Sequence, residues 1–468
     1  MSDCNAREEL LARLRPHGQE HVLHFWDELS PQQRLQLGEQ LERVDLAGLA
    51  RLFQQRGEQT DIRALAERAE SPPAYRMTEG GQGLSPAQAV ALGAEALAAG
   101  EVAALVVAGG QGTRLGFDHP KGMFPIGPVS DHTLFQIHIE KLLAAARRYG
   151  KPVPLCVMTS PATHDETVEF LAANDRFGLA KEDILIFRQG TMPAVDDSEG
   201  KLLLAERDHL ALSPDGHGGM LAAAEQSGAF ARLAERGIRH LFYFQVDNPL
   251  VQVASPELIG YHLAAKSELT TQVVAKQDPA DRVGNVVSVD GRLHVIEYSD
   301  LPADIAAQRD ARGNLKFWAG SIAVHVMDVA FLRRMSERAD ALPFHIAHKK
   351  VPHLDAGGQL IEPTKPNALK FERFIFDLLP RAERAVVVEV DPARGFAPLK
   401  NAPGAVADTA EHVRRSLVAE HARWLRAAGA EVQEGVAVEI SPSYAMDEAE
   451  LCDKLPAGVR VTEPRLFC

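Results

Sequence analysis

The run Val102-Ala103-Ala104-Leu105-Val106-Val107 continues into Ala108-Gly109-Gly110-Gln111-Gly112-Thr113-Arg114-Leu115-Gly116 and then Pro120-Lys121, and this stretch decides the fold. Six consecutive apolar residues ahead of a glycine cluster read as a short buried strand entering a loop. Glycines lack Cβ atoms, so the backbone can turn sharply and aim N–H groups at phosphate oxygens. Arg114 and Lys121 add cationic donors suited to a polyphosphate. The chain carries its own control. Gly80-Gly81-Gln82-Gly83 repeats the four letters with no strand before it and neither Thr-Arg-Leu-Gly nor Pro-Lys after it. That copy reads as a loop between helices, so the strand and the extension Thr113–Met123 carry the information. No Gly-Lys-Ser/Thr opens a helix, which disfavours a Walker A loop. Leu115 stands where a dinucleotide fingerprint needs its third glycine, which disfavours a dehydrogenase.

Outward from this loop, residues 132–149 and 162–177 read as helices, and Val153–Thr159, Ile184–Phe187 and His240–Val246 as strands. A helix at about 219–236 precedes the last of these. Strands alternating with helices of this length predict βαβ units and a mainly parallel sheet covered on both faces. Asp290-Gly291 between Asn285–Val289 and Leu293–Tyr298 is a hairpin signal. Trp318–Val326 and Ala385–Val390 supply further strands, and a long helix spans about 408–428. Residues 1–70 read as mostly helical, with Ser30-Pro31 and Ser85-Pro86 as helix starts. A loop is expected between Ser71-Pro72-Pro73 and Gly83.

The 468 residues carry 64 acidic and 50 basic side chains, a net charge of −14. That balance argues against a protein that coats nucleic acid polymers or anionic membrane. Only 14 of the basic residues are lysine, and none precedes Lys121. The apolar run Val102–Ala108 is far short of the roughly 20 residues a membrane helix needs. With no basic n-region at the start, the cytoplasm is the expected compartment. Cys4, Cys156, Cys452 and Cys468 form no zinc spacing or disulfide framework.

The segment Gly109–Gly116 with Pro120-Lys121-Gly122-Met123 resembles the signature of the eukaryotic-type UDP-sugar pyrophosphorylase family, closest to its UDP-N-acetylglucosamine branch. The likeness continues in order through Gln189–Ala194, Pro214–Gly219, Val246-Asp247-Asn248, Val283-Gly284 to Ser299, Ala319–Ile322, Pro366–Lys370 and Phe396–Asn401. It implies a glycosyltransferase-A-like (Rossmann-like) α/β nucleotidyltransferase core. The expected division is a helical N-terminal domain at 1–99, the catalytic domain at 100–405 and a small α+β domain at 406–468. It also implies the reaction of UTP with a sugar 1-phosphate to give a UDP-sugar and pyrophosphate, assisted by Mg²⁺. A monomer or homodimer is expected.

Residue by residue, the resemblance implies that Arg114, Lys121 and Lys400 stabilise the phosphates. Ala108, Gly109, Gly110, Gln111, Gly112, Thr113, Gln189, Gly216 and Lys370 would bind UTP, with Gln189 reading the uracil edge. Lys370 is expected at a helix start. His217, Gly284, Glu297, Tyr298 and Ser321 match sugar-pocket positions. Asp247 ends a strand, where ligands of open α/β sheets gather, and is the metal candidate. The acetylglucosamine branch carries asparagine at the positions of His217 and Ser321. Gly216-His217-Gly218 looks more like the glucose-type and broad-specificity members, and both departures fall at positions that contact the sugar in the family. A non-catalytic nucleotide-sugar sensor on the same fold is the alternative of another class, and the retained lysines and Asp247 argue against it.

Overall fold

The computed structural model describes residues 3–57, 61–77, 84–338 and 340–468. The glycine cluster at 80–83 therefore lies outside the described residues. The chain forms two compact units that interleave in sequence. One comprises residues 1–61, 189–220 and 342–375; the other comprises 62–188, 221–341 and 376–468. A division at residues 99 and 405 does not capture this exchange. Residues 62–99 sit in the larger unit, and the N-terminal helices share a unit with two later segments.

The larger unit is built on a ten-stranded sheet. In chain order its strands are β1 (Ala74–Tyr75), β2 (Val102–Val107), β3 (Leu155–Thr159), β4 (Ile184–Arg188), β5 (His240–Gln245), β6 (Leu269–Ala275), β7 (Gly284–Val289), β8 (Arg292–Ile296), β9 (Ala319–Asp328) and β10 (Ala385–Glu389). The spatial order is β1-β10-β6-β9-β5-β2-β3-β4, with β7 and β8 attached beside β9. The β5-β2-β3-β4 half is parallel, with Gln245 opposite Val107. β9 runs antiparallel to both β5 and β6, so the sheet is mixed. The expected loop after Pro73 contains β1, which pairs in parallel with Val387 and Val388.

Local chemistry explains the elements that frame the loop. Helix α1 (Pro86–Ala99) begins with a reciprocal capping box between Ser85 and Gln88 and ends at Gly100, whose φ is +73°. A side chain at Gly93 would strike the Pro256 carbonyl, and one at Gly260 would strike that of Ala89. Those glycines let α1 and the helix Pro256–Ala264 pack backbone to backbone. Helix α2 (Leu134–Tyr149) starts at Thr133, whose hydroxyl accepts from Gln136 N at 3.2 Å. The Asp290-Gly291 hairpin is present, with φ of +51° and +77°, and joins β7 to β8. The expected helix at 219–236 is two, Met220–Gln226 and Ala229–Glu235, because Gly228 adopts φ +74° between them. Around Trp424, Val438 and Phe467 the C-terminal segment has its own apolar cluster.

In the smaller unit, Leu14, Leu37 and Leu41 of the N-terminal helices share a core with Val195, Leu202 and Phe371. Ala368–Glu372 pairs with His345–Lys349 and Val195–Asp196. Lys370 therefore lies on a strand, opposite Ala347, and not at a helix start. No helix among the described residues is long and apolar enough to cross a membrane.

Candidate active site

β2 delivers the glycine loop at the carboxyl end of the sheet. Lys121 N donates to Gly110 O at 3.0 Å and Gly112 N to His119 O at 2.9 Å, folding Lys121 back beside the glycines. Gly112 is buried, and a Cβ there would lie 2.6 Å from the Phe117 carbonyl oxygen. A Cβ on Gly122 would penetrate the Phe135 ring. These positions are closed to other residues, whereas Gly110, Gln111, Thr113 and Arg114 are exposed. Arg114 forms no ion pair among the described residues, which leaves its guanidinium available to a ligand.

β5 is the parallel neighbour of β2, and Asp247 follows it. Lys121 Nζ lies 3.4 Å from Asp247 Oδ2, each side chain 18% exposed. Leu399 N donates to Asp247 O at 2.8 Å, which ties the Pro398-Leu399-Lys400 segment to the same place. Lys400 itself is exposed, its Nζ 5.8 Å from the Phe396 ring centre. Asn248 is buried and locks this region: its Nδ2 donates to Gly395 O at 2.8 Å and its Oδ1 accepts from Ala397 N at 3.1 Å. The structure thus gathers the glycine loop, Lys121, Asp247 and the Lys400 segment. Mg²⁺ takes one or two carboxylates and completes its shell with phosphate oxygens and water. Asp247, a single partly open carboxylate beside a phosphate-type loop, fits that donor pattern. Two other groups, His240/His262/Asp328 and Glu206/Asp208/His209, converge more closely, and neither includes Asp247.

A second cluster forms where β7 meets β9. Gly284 lies opposite Ser321 in the register. A Cβ on Gly284 would approach Glu297 Oε1 to 3.2 Å, so the glycine admits that carboxylate. Tyr298 is 46% exposed next to it. Beneath them Lys276 Nζ donates to the buried Asn285 Oδ1 at 2.7 Å, and burial lowers the Lys276 pKa.

The remaining predicted residues belong to the smaller unit. Gln189 is buried. Gly216 has φ +83°, and a Cβ there would lie 2.4 Å from Arg373 O, so only glycine fits. Asp215, which motif reading passed over, is buried and accepts from Arg373 Nη2 at 2.7 Å. Burial raises its pKa, and Arg373 opposes the shift. Arg373 N and O in turn bond Asp215 O and Gly218 N, which fixes the turn that presents His217. His217 stacks on Phe374, and its Nδ1 accepts from Ile375 N at 3.2 Å. That bond places the proton of the neutral ring on Nε2. Burial, with His345 nearby, holds its pKa down at about 4. Lys370 is half-buried on its strand.

The profile of a family described as UTP–glucose-1-phosphate uridylyltransferase matches residues 49–429. A UDP-N-acetylhexosamine pyrophosphorylase-like protein 1 from Xenopus tropicalis is 36% identical, covering 97% of this chain and 92% of that protein. A UDP-N-acetylglucosamine pyrophosphorylase from Saccharomyces cerevisiae is 39% identical over 76% of each chain. The solved uridine diphosphate N-acetylglucosamine pyrophosphorylase from Trypanosoma brucei superposes with a TM-score of 0.83 at 27% identity, covering 99% of this chain and 98% of that one.

Proposed function

Because the chain belongs to the UTP–glucose-1-phosphate uridylyltransferase family, we propose that it is the enzyme that joins UTP to N-acetylglucosamine 1-phosphate, releasing pyrophosphate. Uridylyl transfer is the activity of the family. The acetylglucosamine substrate is favoured by the names of the relatives similar over most of this chain.

In this reading an oxygen of the sugar phosphate attacks the α-phosphorus of UTP in line, and pyrophosphate departs. No covalent enzyme intermediate is needed, so catalysis rests on positioning and on stabilising developing negative charge. The single observation that carries the reading is the Lys121–Asp247 pair, 3.4 Å apart beside the glycine loop at adjacent strand ends. Backbone N–H groups of Gly109, Gly110, Gln111 and Thr113 and the free guanidinium of Arg114 receive the phosphates, while the Gly112 N–H, bonded to His119 O, holds the turn. Lys121 and Lys400 supply charge where the leaving group forms. A magnesium ion held by Asp247 and phosphate oxygens would neutralise charge on the triphosphate. Gln189 reads the uracil, and Gly216 and Lys370 complete the nucleotide contacts, as the sequence likeness implies. The sequence likeness assigns Gly284, Glu297, Tyr298, Ser321 and His217 to the sugar, for which a carboxylate accepts hydroxyl donors strongly.

A second reading, a glucose or broad-specificity enzyme, is favoured by His217 and Ser321 in place of asparagines. The test is pyrophosphate release from UTP and Mg²⁺ with N-acetylglucosamine, N-acetylgalactosamine, glucose and galactose 1-phosphates in parallel. Strongest turnover with the acetylglucosamine compound is expected. Preference for glucose 1-phosphate establishes the second reading, and release with no sugar phosphate at all overturns both.

A further inference from the structure

The segment Val246–Val251, which carries Asp247, is neither strand nor helix, yet Val246, Leu250 and Val251 are buried. Buried carbonyls outside regular structure need donors from elsewhere. One face of α2 supplies them. His138, only 1% exposed, donates through Nε2 to Val246 O at 3.0 Å. One turn further along, Lys141 Nζ donates to Pro249 O and, at 2.8 Å, to Val251 O. The opposite side of the same segment is held by Asn248 and by Leu399 N on Asp247 O. The carbonyls on both flanks of the carboxylate are therefore clamped by two side chains of a single helix.

We propose that Lys141 and His138 are positioning residues for uridylyl transfer: they fix the backbone on either side of Asp247 and thereby the place its carboxylate offers to the phosphates. The inference rests on the assignment of Asp247 to the reaction centre. Neither residue lies in the motifs that mark the family, and neither touches the glycine loop.

Two features separate this role from ordinary core packing. The first is its cost. Burial lowers Lys141 to a pKa of about 7 and His138 to about 3, so neither group is placed where its charge would stabilise the fold. The neutral His138 keeps its proton on Nε2, because a carbonyl only accepts, while Nδ1 is buried without a partner among the described residues. The second is space. Lys141 lines a cavity of about 280 Å³, bounded also by Pro249, Val253, Trp424 and Ile440. A side chain altered here meets open volume, so the segment can shift without the fold collapsing.

Lys141→Met removes both donors at similar length, and Lys141→Arg restores them. Steady-state kinetics with UTP, N-acetylglucosamine 1-phosphate and Mg²⁺ are paired with hydrogen exchange across 246–252 in the nucleotide-free protein. A small displacement of a reacting group can cost about 10²-fold, so Lys141→Met is expected to lower kcat about 10–100-fold while KM for UTP moves about threefold or less. Exchange across 246–252 should quicken in the same variant, and Lys141→Arg should recover both readouts. Arg148→Met is the control. It removes a side chain of the same helix and cavity that pairs with Asp447 and Glu450, and should leave kcat within about twofold. Wild-type kcat in Lys141→Met, or a loss that Arg does not rescue with exchange unchanged, overturns the proposal. If Lys141→Met does not fold, His138→Gln against His138→Leu decides it: Gln keeps a donor for Val246 O and should retain kcat, Leu should not, and equal values overturn it. Absence of turnover in the wild type defeats the functional reading alone, since the exchange comparison still reports whether the clamp exists.

Discussion

The two ends of β5 each hold a carboxylate, and the two are treated in opposite ways. At the amino end, His240 pairs across to Asp328, the last residue of β9. Asp328 Oδ1 accepts from His240 Nδ1 at 2.8 Å and from His262 Nε2 at 3.0 Å. Burial alone would raise its pKa, but the two imidazoles outweigh burial and pull it down to about 2. At the carboxyl end, Asp247 meets one side chain among the described residues, Lys121, at 3.4 Å. A carboxylate oxygen that takes two imidazole donors ties its neighbours together. A carboxylate with one long contact, beside an exposed glycine loop, keeps its lone pairs for a ligand. The tighter convergence of metal-type ligands is at Asp328, and the more open phosphate-type surroundings are at Asp247.

The largest expected effect breaks this comparison most directly. Asp247→Asn should lower kcat/KM about 10³-fold, whereas Asp328→Asn should change it about twofold or less. Lys121→Ala and Lys400→Ala should each cost about 10²–10³-fold in kcat/KM, the range for losing a preorganised charge-stabilising donor. Because Lys400 is exposed over Phe396, wild-type rates in that variant alone would reassign it to the surface and leave Asp247 and Lys121 as the charged pair. On the structural side, Asp328→Asn should lower Tm by about 2–6 °C, the scale of losing charge-assisted hydrogen bonds in a protein of this size. The sign follows from the lowered carboxyl. Its stabilisation is complete above the ordinary carboxylate range near pH 4 and is lost as pH falls toward 2. The difference in Tm between wild type and Asp328→Asn should therefore shrink across that window. The smallest effect concerns selectivity: His217→Asn with Ser321→Asn should raise the preference for N-acetylglucosamine over glucose 1-phosphate by about 3–10-fold, the value of a hydrogen bond or less. An unchanged ratio would separate those positions from sugar choice.

Much of this is legible in the sequence alone. Val102–Val107 is an unbroken apolar run between a helix-ending Gly100 and a glycine loop, and the strand has those bounds. Asp290-Gly291 specified its hairpin through two residues that tolerate positive φ. What stayed hidden depended on partners distant in sequence. The strand at Lys370 is imposed by pairing with His345–Lys349, which overrides the helix-start look of Pro366-Asn367. Asp215 finds Arg373 158 residues away. His138 and Lys141 look like the ordinary polar positions of an amphipathic helix, and only the packed structure shows them reaching the backbone around Asp247. The same limit explains the interleaved units, since no local signal tells residues 1–61 to join 189–220 and 342–375.

The most direct test is one pyrophosphate-release assay on three proteins: wild type, Asp247→Asn and Asp328→Asn, each with UTP, N-acetylglucosamine 1-phosphate and Mg²⁺. Release by wild type and Asp328→Asn, with Asp247→Asn about 10³-fold slower, is the predicted result. Asp247→Asn turning over like wild type, while Asp328→Asn fails, would place the chemistry at the wrong end of the strand and contradict the account.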